Sequence, residues 1–184
     1  MDIHNFFPSI NINQVFEAFH CVGYTSDVAQ ALAQLCTHNA ILPQGAPTSP
    51  TLANIIFSPI DQQILNAIST KEITYTRYAD DLIFSSSHEL DFLIPLVSEI
   101  ISTNGFEINS NKTHLMKNPY RKMITGLIVT DTVKIPKYYK RKFNQELFYC
   151  EKYGVASHLK NCKTHKKVNF KEYMYGKAYY IVSA

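Results

Sequence analysis

Two adjacent carboxylates, Asp80 and Asp81, stand between the arms Tyr75-Thr76-Arg77-Tyr78-Ala79 and Leu82-Ile83-Phe84-Ser85-Ser86, both rich in β-branched and aromatic residues. Neighbouring anions repel, and each is expensive to desolvate unless a cation accompanies it. Hard carboxylate oxygens suit Mg2+, which takes one or two protein carboxylates and completes its shell with water and substrate phosphates. A third carboxylate, Asp2, opens the short run Asp2-Ile3-His4-Asn5-Phe6-Phe7-Pro8-Ser9-Ile10. Three carboxylates from two neighbouring strands would make a two-metal phosphoryl-transfer site, with Asp2, Asp80 and Asp81 as ligands. The plainer alternative is a pair of solvated turn residues, since Asp tolerates turn geometry.

The elements around these residues must hold them together. Ile73, Tyr75 and Arg77 alternate with Thr74, Thr76 and Tyr78, so the pair sits at the tip of a hairpin. In the first run, alternation sets Asp2, His4 and Phe6 on one face and Ile3, Asn5 and Phe7 on the other. Helical spacing predicts a short helix over 11–21 ending near Gly23, and another over 26–36 with Val28, Leu32 and Leu35 inward. Ser49 and Pro50 read as the N-cap and first turn of a longer helix through Ile68, kinked at Pro59. Ser86 and Glu89 form a capping box for a helix that ends at Gly105, and a strand resumes at Phe106–Ile108. The order strand, helices, hairpin, helix, strand predicts an α+β fold of ferredoxin-like type, an antiparallel sheet with helices on one face. A second hairpin follows over 121–135, then helices over 137–153 and 169–182 separated by a polar basic linker.

Charge is divided unevenly along the 184 residues. Residues 1–111 hold two Lys/Arg against eleven Asp/Glu, and residues 112–184 hold sixteen against four. Acid gathered at a metal site and base gathered on a tail suit a polyphosphate substrate, whose backbone needs cations along its track. In the tail, Lys137, Lys140, Arg141 and Lys142 are interleaved with Tyr138, Tyr139 and Phe143, a mixture that contacts both phosphate and base. Cysteines at 21, 36, 150 and 162 show no close pairing, and with His158 and His165 the last two match no standard zinc spacing. There is no run of about eighteen apolar residues and no leader pattern, so no membrane contact and a cytoplasmic location are expected.

The blocks Asp2-Ile-His-Asn-Phe-Phe-Pro-Ser-Ile10, Leu42-Pro-Gln-Gly-Ala-Pro-Thr-Ser-Pro50 and Tyr78-Ala-Asp-Asp81 resemble motifs A, B and C of reverse transcriptases, in that family's order. The second block, with Tyr75 to Asp81 and Ile124-Thr-Gly126, is most similar to bacterial retron-type enzymes, with group II intron and phage-defence relatives nearby. The resemblance implies a polymerase palm over 1–135 (motifs A to E) and a basic, partial helical thumb over 136–184. It implies two Mg2+ ions, with Mn2+ as an alternative, on Asp2, Asp80 and Asp81. Of the last two, Asp80 is expected to ligate directly and Asp81 to make a secondary contact.

By the same resemblance Lys112 matches the motif D lysine that protonates pyrophosphate, unless it is only a surface lysine. Gln44 and Gly45 line the nucleotide and template pocket, and Thr125 and Gly126 form the primer grip. Alternation favours Phe6 as the aromatic gate against the ribose 2′-hydroxyl and leaves Phe7 to the core. The implied activity is RNA-directed DNA polymerisation, with RNA template, DNA primer and dNTPs as partners. For a retron-type enzyme, DNA would be made from a non-coding RNA in antiviral defence, alongside an effector protein. Because Asp2 follows Met1 directly, the chain reads as a fragment without the upstream fingers that hold the triphosphate, inactive by itself. Two rivals are a non-catalytic nucleic-acid-binding remnant and an interaction module of a phage-defence system.

Overall fold

The computed structural model describes residues 1–116, 122–130, 132–161 and 169–183. The readings that involve Arg121, Asp131, Cys162 and His165 therefore lie outside the described residues. The chain divides into two compact units, Met1–Leu115 and Met116–Ala184. That division falls ahead of the second hairpin, whereas the motifs place the expected functional boundary at 135/136.

In the first unit, α1 (Ile12–Val22) starts at a capping box in which the Asn11 side chain accepts from the Asn13 and Gln14 amides and the Gln14 side chain accepts from the Asn11 amide. Gly23, at φ 111°, ends it in the left-handed conformation that an L side chain resists. Helix α2 (Ser26–Cys36) has the predicted span but only part of the predicted face, since of the three residues expected inward Leu32 alone is half-buried. Ala29 and Ala33 are buried, while Val28 and Leu35 are 44% and 81% exposed. Alanines let α2 lie close to α1, and hydrophobicity alone does not reveal which stripe is short enough to do so.

Helix α3 (Ser49–Ile68) runs through Pro59 and turns Leu52, Phe57, Ile60 and Ile64 into the core. Ser49 is not its N-cap. The Ser49 hydroxyl instead donates to the Pro43 carbonyl at 2.6 Å and closes the preceding loop. The predicted capping box at Ser86 and Glu89 also fails. Ser86 pairs with Ile73 at the end of the hairpin and its hydroxyl accepts from the His88 amide, so α4 starts later, at Leu93–Thr103.

The sheet and its hairpin turn carry the three acidic positions. Strands β1 (Ile73–Tyr78) and β2 (Asp81–Ser86) pair antiparallel from Ile73↔Ser86 to Tyr78↔Asp81. Isolated antiparallel bridges Asp2↔Asp81 and Ile3↔Ile108 continue the ladder. The spatial order is thus the segment around Ile108, the Asp2 segment, β2, then β1. One face of this sheet is sealed by the helices, with Ile3, Leu82, Phe106, Phe57, Val97 and Ile101 in the shared core.

The second unit begins with an antiparallel meander, β3 (Lys122–Ile124), β4 (Leu127–Val129) and β5 (Val133–Lys134). Helix α5 (Lys137–Tyr153) has the predicted span, α6 (Val155–Asn161) fills part of the expected linker, and α7 is Phe170–Ser183. Helices α5 and α7 meet through Tyr139 against Tyr180, ring centroids 5.2 Å apart, and through Lys177 Nζ on Glu146 at 3.0 Å. Lys177 is therefore committed to an internal ion pair rather than to phosphate. Among the described residues no helix is long and apolar enough to cross a membrane.

Candidate active site

The Asp2 and Asp81 backbones face each other as a pair without mutual hydrogen bonds. Leu82 N donates to Met1 O at 2.8 Å and Ile3 N donates to Asp80 O at 2.9 Å, one residue to either side of the pair. In this kind of pair the side chains share one face and approach closely, with Cα atoms about 4.5 Å apart. Tertiary pairing thus sets Asp2 directly opposite Asp81, while Asp80 occupies the two-residue turn between Tyr78 and Asp81. The expected preference for Asp80 over Asp81 does not follow from this register.

Asp2 is buried to 7% exposure, and Lys112, from the 3-10 turn Ser110–Lys112, reaches its Oδ2 with Nζ at 3.2 Å. Lys112 is solvent-exposed, yet it leans on the site. Burial raises the Asp81 carboxyl above the ordinary range, and the charges of Asp80 and Asp2 push it further, against opposing pulls from the Met1 ammonium and Lys112. Among the described residues no three His, Cys, Asp or Glu side chains already converge as an ion site. The donor chemistry nonetheless fits a hard divalent cation, since three carboxylates occupy neighbouring backbone positions with one lysine as the nearby side-chain cation.

A raised carboxylate pKa has a definite sign. Asp81 binds its proton more tightly folded than unfolded, so the stability present below the unfolded pKa is lost as pH rises through the folded value. Asp81→Asn is therefore expected to stabilise the metal-free chain at neutral pH by about 0.5–1 kcal/mol, the scale of a like-charge cross-strand pair. Thermal melts from about pH 4 to pH 7 measure it. An unchanged Tm at pH 7 together with an unchanged pH profile would show that the repulsion is absent.

Phe6 does not share the carboxylate face. It is 3% exposed and packs against Phe57 and Phe106 at 5.5 and 6.0 Å between centroids. The strand ends at Ile3, and Asn5 takes φ 47°, which turns the chain and breaks the alternation that pointed Phe6 outward. Phe7, assigned to the core by sequence, does pack against that core but stays partly exposed. The gate assignment to Phe6 is thus corrected.

Gln44 and Gly45 form an exposed turn ahead of α3. Gly45 has φ +92° with open space where a Cβ would stand, so its backbone is accessible and its glycine is a conformational requirement. The loop is tied to the Asp2 segment by Leu42 N donating to Ile10 O at 2.9 Å. In the second unit, Thr125 and Gly126 make the two-residue turn of the β3–β4 hairpin with φ 45° and 86°, the signature of a type I′ turn. Among the described residues, chain neighbours apart, nothing lies within 4 Å of a Cβ built on Gly126, so turn geometry rather than tight packing calls for it.

On α5, the half-buried Tyr139, Phe143, Glu146 and Cys150 mark the inner face. Lys137 and Arg141 fall on the opposite face at helical spacing, with Lys140 and Lys142 on its flanks, and all four are exposed.

Beneath the acidic turn lies a network that periodicity did not reveal. Arg77 holds Asp61 through Nε at 3.0 Å and Nη2 at 2.7 Å, and the Tyr75 hydroxyl donates to the same carboxylate at 2.7 Å. The one available signal was an arginine on the inward-facing positions of β1, in step with Ile73 and Tyr75.

A family model described as reverse transcriptase (RNA-dependent DNA polymerase) matches residues 1–168. The retron Ec86 reverse transcriptase of Escherichia coli is 34% identical over 169 residues, covering 87% of this chain and 52% of that protein. The retron Mx65 reverse transcriptase of Myxococcus xanthus is 31% identical over 157 residues, 74% of this chain and 37% of that protein. The retron Se72 reverse transcriptase of Salmonella heidelberg (strain 579083-10) is 30% identical over 165 residues, 84% and 44% respectively. The chain spans about half the length, or less, of these relatives.

Proposed function

The chain belongs to the reverse transcriptase family, and from that premise we propose that it forms the palm and part of the thumb of an RNA-directed DNA polymerase of retron type. The observation that carries the reading is the pairing of Asp2 with Asp81 beside Asp80 on one sheet. Two Mg2+ ions, or Mn2+, held by these carboxylates would activate the primer 3′-hydroxyl and stabilise charge on the departing pyrophosphate. The protein's own part is positioning. Asp2 and Asp81 are set by the ladder, Lys112 stands at Asp2 as the donor for the leaving group, and the Gln44–Gly45 turn offers backbone to nucleotide and template. Thr125 and Gly126 meet the primer end, and Lys137, Lys140, Arg141 and Lys142 track the phosphates. The template is an RNA, for a retron-type enzyme a non-coding RNA, copied in the cytoplasm as one step of antiviral defence with an effector protein.

We assign the aromatic gate to Phe7, because Phe6 is consumed by the core. Phe7→Ala is expected to raise incorporation of ribonucleotides relative to deoxyribonucleotides by 10-fold or more, about 1.4 kcal/mol of lost discrimination. Competing dNTP and rNTP incorporation reads it, and an unchanged ratio would reject the assignment.

The polymerase reading is tested by primer extension on an RNA template with dNTPs and Mg2+. The 184 residues alone are expected to give none, and a chain of the relatives' length to give robust synthesis. Residues 1–115 contain Lys71, Arg77 and Lys112 as their only Lys/Arg. Arg77 is bound to Asp61, and Lys71 sits over the Phe92 ring at 3.5 Å, which leaves Lys112 for a triphosphate. Positioning that charge is most of the catalysis.

A further inference from the structure

We propose that Arg77, anchored by Asp61 and Tyr75, is a positioning residue that aims the Asp80 carboxylate for divalent-cation binding. The inference rests on the metal-site reading above and deepens it. Arg77 Nη1 donates to the Ala79 carbonyl at 3.1 Å and to Asn54 Oδ1 at 2.9 Å. Its guanidinium lies over the Phe57 ring at 4.6 Å, and its side chain is only 8% exposed. Asn54, Phe57 and Asp61 all belong to α3, so one side chain fastens the acidic turn to the longest helix of the unit.

The Ala79 carbonyl belongs to the peptide plane that enters Asp80. The plane that leaves Asp80 is held as well, by Ile3 N on the Asp80 carbonyl at 2.9 Å. With both flanking planes pinned, the backbone direction of the Asp80 side chain is set. Pinning is needed because Ala79 sits at φ 50°, a left-handed conformation that an L residue resists and that relaxes unless its surroundings hold it.

The network is built to stay charged and ordered. Burial pushes the Tyr75 hydroxyl well above its usual range, with Asp61 adding to the shift, so it remains a donor to Asp61. Burial works against the Arg77 charge, but the hydrogen bonds and charge of Asp61 outweigh it and its pKa ends raised. Lysine cannot replace this geometry, because a single ammonium cannot grip both Asp61 oxygens and also reach Asn54 and Ala79.

The test is Mn2+ binding to the 184-residue chain, followed by electron paramagnetic resonance of the free ion. Wild type should bind Mn2+, and Asp2→Asn should not. Arg77→Lys and Asp61→Asn should each weaken Mn2+ binding by about tenfold or more, as loss of groups that orient ligands does. Tyr75→Phe should have a smaller effect in the same direction. Ile64→Val, which trims the buried face of α3 without touching the network, supplies a destabilised control and should bind as wild type does. Wild-type failure to bind Mn2+ would overturn the metal-site reading and this inference with it. Binding by wild type with equal affinity in folded Arg77→Lys and Asp61→Asn would overturn the inference alone. So would a weakening in Ile64→Val as large as theirs, since stability rather than aim would then explain it. If Arg77→Lys does not fold, Asp61→Asn and Tyr75→Phe decide by the same criteria.

Discussion

Changing either Asp2 or Asp80 to Asn is expected to lower Mg2+-dependent DNA synthesis by at least about 10³-fold in a chain of the relatives' length, a barrier increase of about 4 kcal/mol. Each substitution keeps shape and hydrogen-bonding capacity but removes one negative charge from a group of three. A hard cation depends on that charge, because amide oxygen is a much weaker ligand than carboxylate. The backbone bonds that fix the segment, Ile3 N to Asp80 O and Asn109 N to Asp2 O, do not involve either side chain, so the fold should persist. Circular dichroism and melting establish that the variants are folded. Asp2→Asn carries a second consequence, loss of the ion pair with Lys112, so its Lys112 should become more reactive toward acylating reagents than in wild type. Full activity in either folded variant would remove the two-metal mechanism.

Reversing Lys140, Arg141 and Lys142 to Glu together should weaken binding to a primer-template duplex on the order of 10²-fold or more at low salt. These residues are exposed on α5, where nothing in the helix's inner packing of Tyr139, Phe143 and Glu146 depends on them. The salt dependence should flatten as well, by about 0.9 in the slope of log K against log salt for each phosphate that is no longer neutralised. Affinity and slope both equal to wild type would show that the charge is merely solvated. A second comparison separates this surface from general basicity. Lys177→Gln removes one positive charge from a half-buried pair with Glu146 and should change stability far more than the salt slope.

Much of the site was legible because its signals are local. The Asp-Asp tip between two alternating arms announced β1 and β2 before any pairing was known, and apolar spacing over Leu52, Ile60 and Ile64 announced α3. Three motif blocks in order pointed to the family that the match over residues 1–168 establishes. The span of α5 could be read from the helical pattern that begins beyond Pro136, whereas α6 was hidden in the polar run expected to be a linker.

What escaped depended on interactions between distant residues. Asp61 and Arg77 are 16 residues apart, one on a helix and one on a strand, and charge pairing has no sequence period to betray it. Ser49 looked like a helix cap because capping chemistry is local, but its hydroxyl found Pro43 O across a loop closed by tertiary packing. Composition and motif order nominated the residues proposed to hold a cation and to meet phosphate. Three-dimensional packing decides where those side chains lie. At Asn5 a single positive φ carries Phe6 into the core and leaves Phe7 partly exposed, and in the ladder the pairing of Asp2 with Asp81 follows from Ile3, Leu82 and Phe106 sharing one buried face. Side-chain direction follows backbone torsion and burial, and neither is a property of residue type.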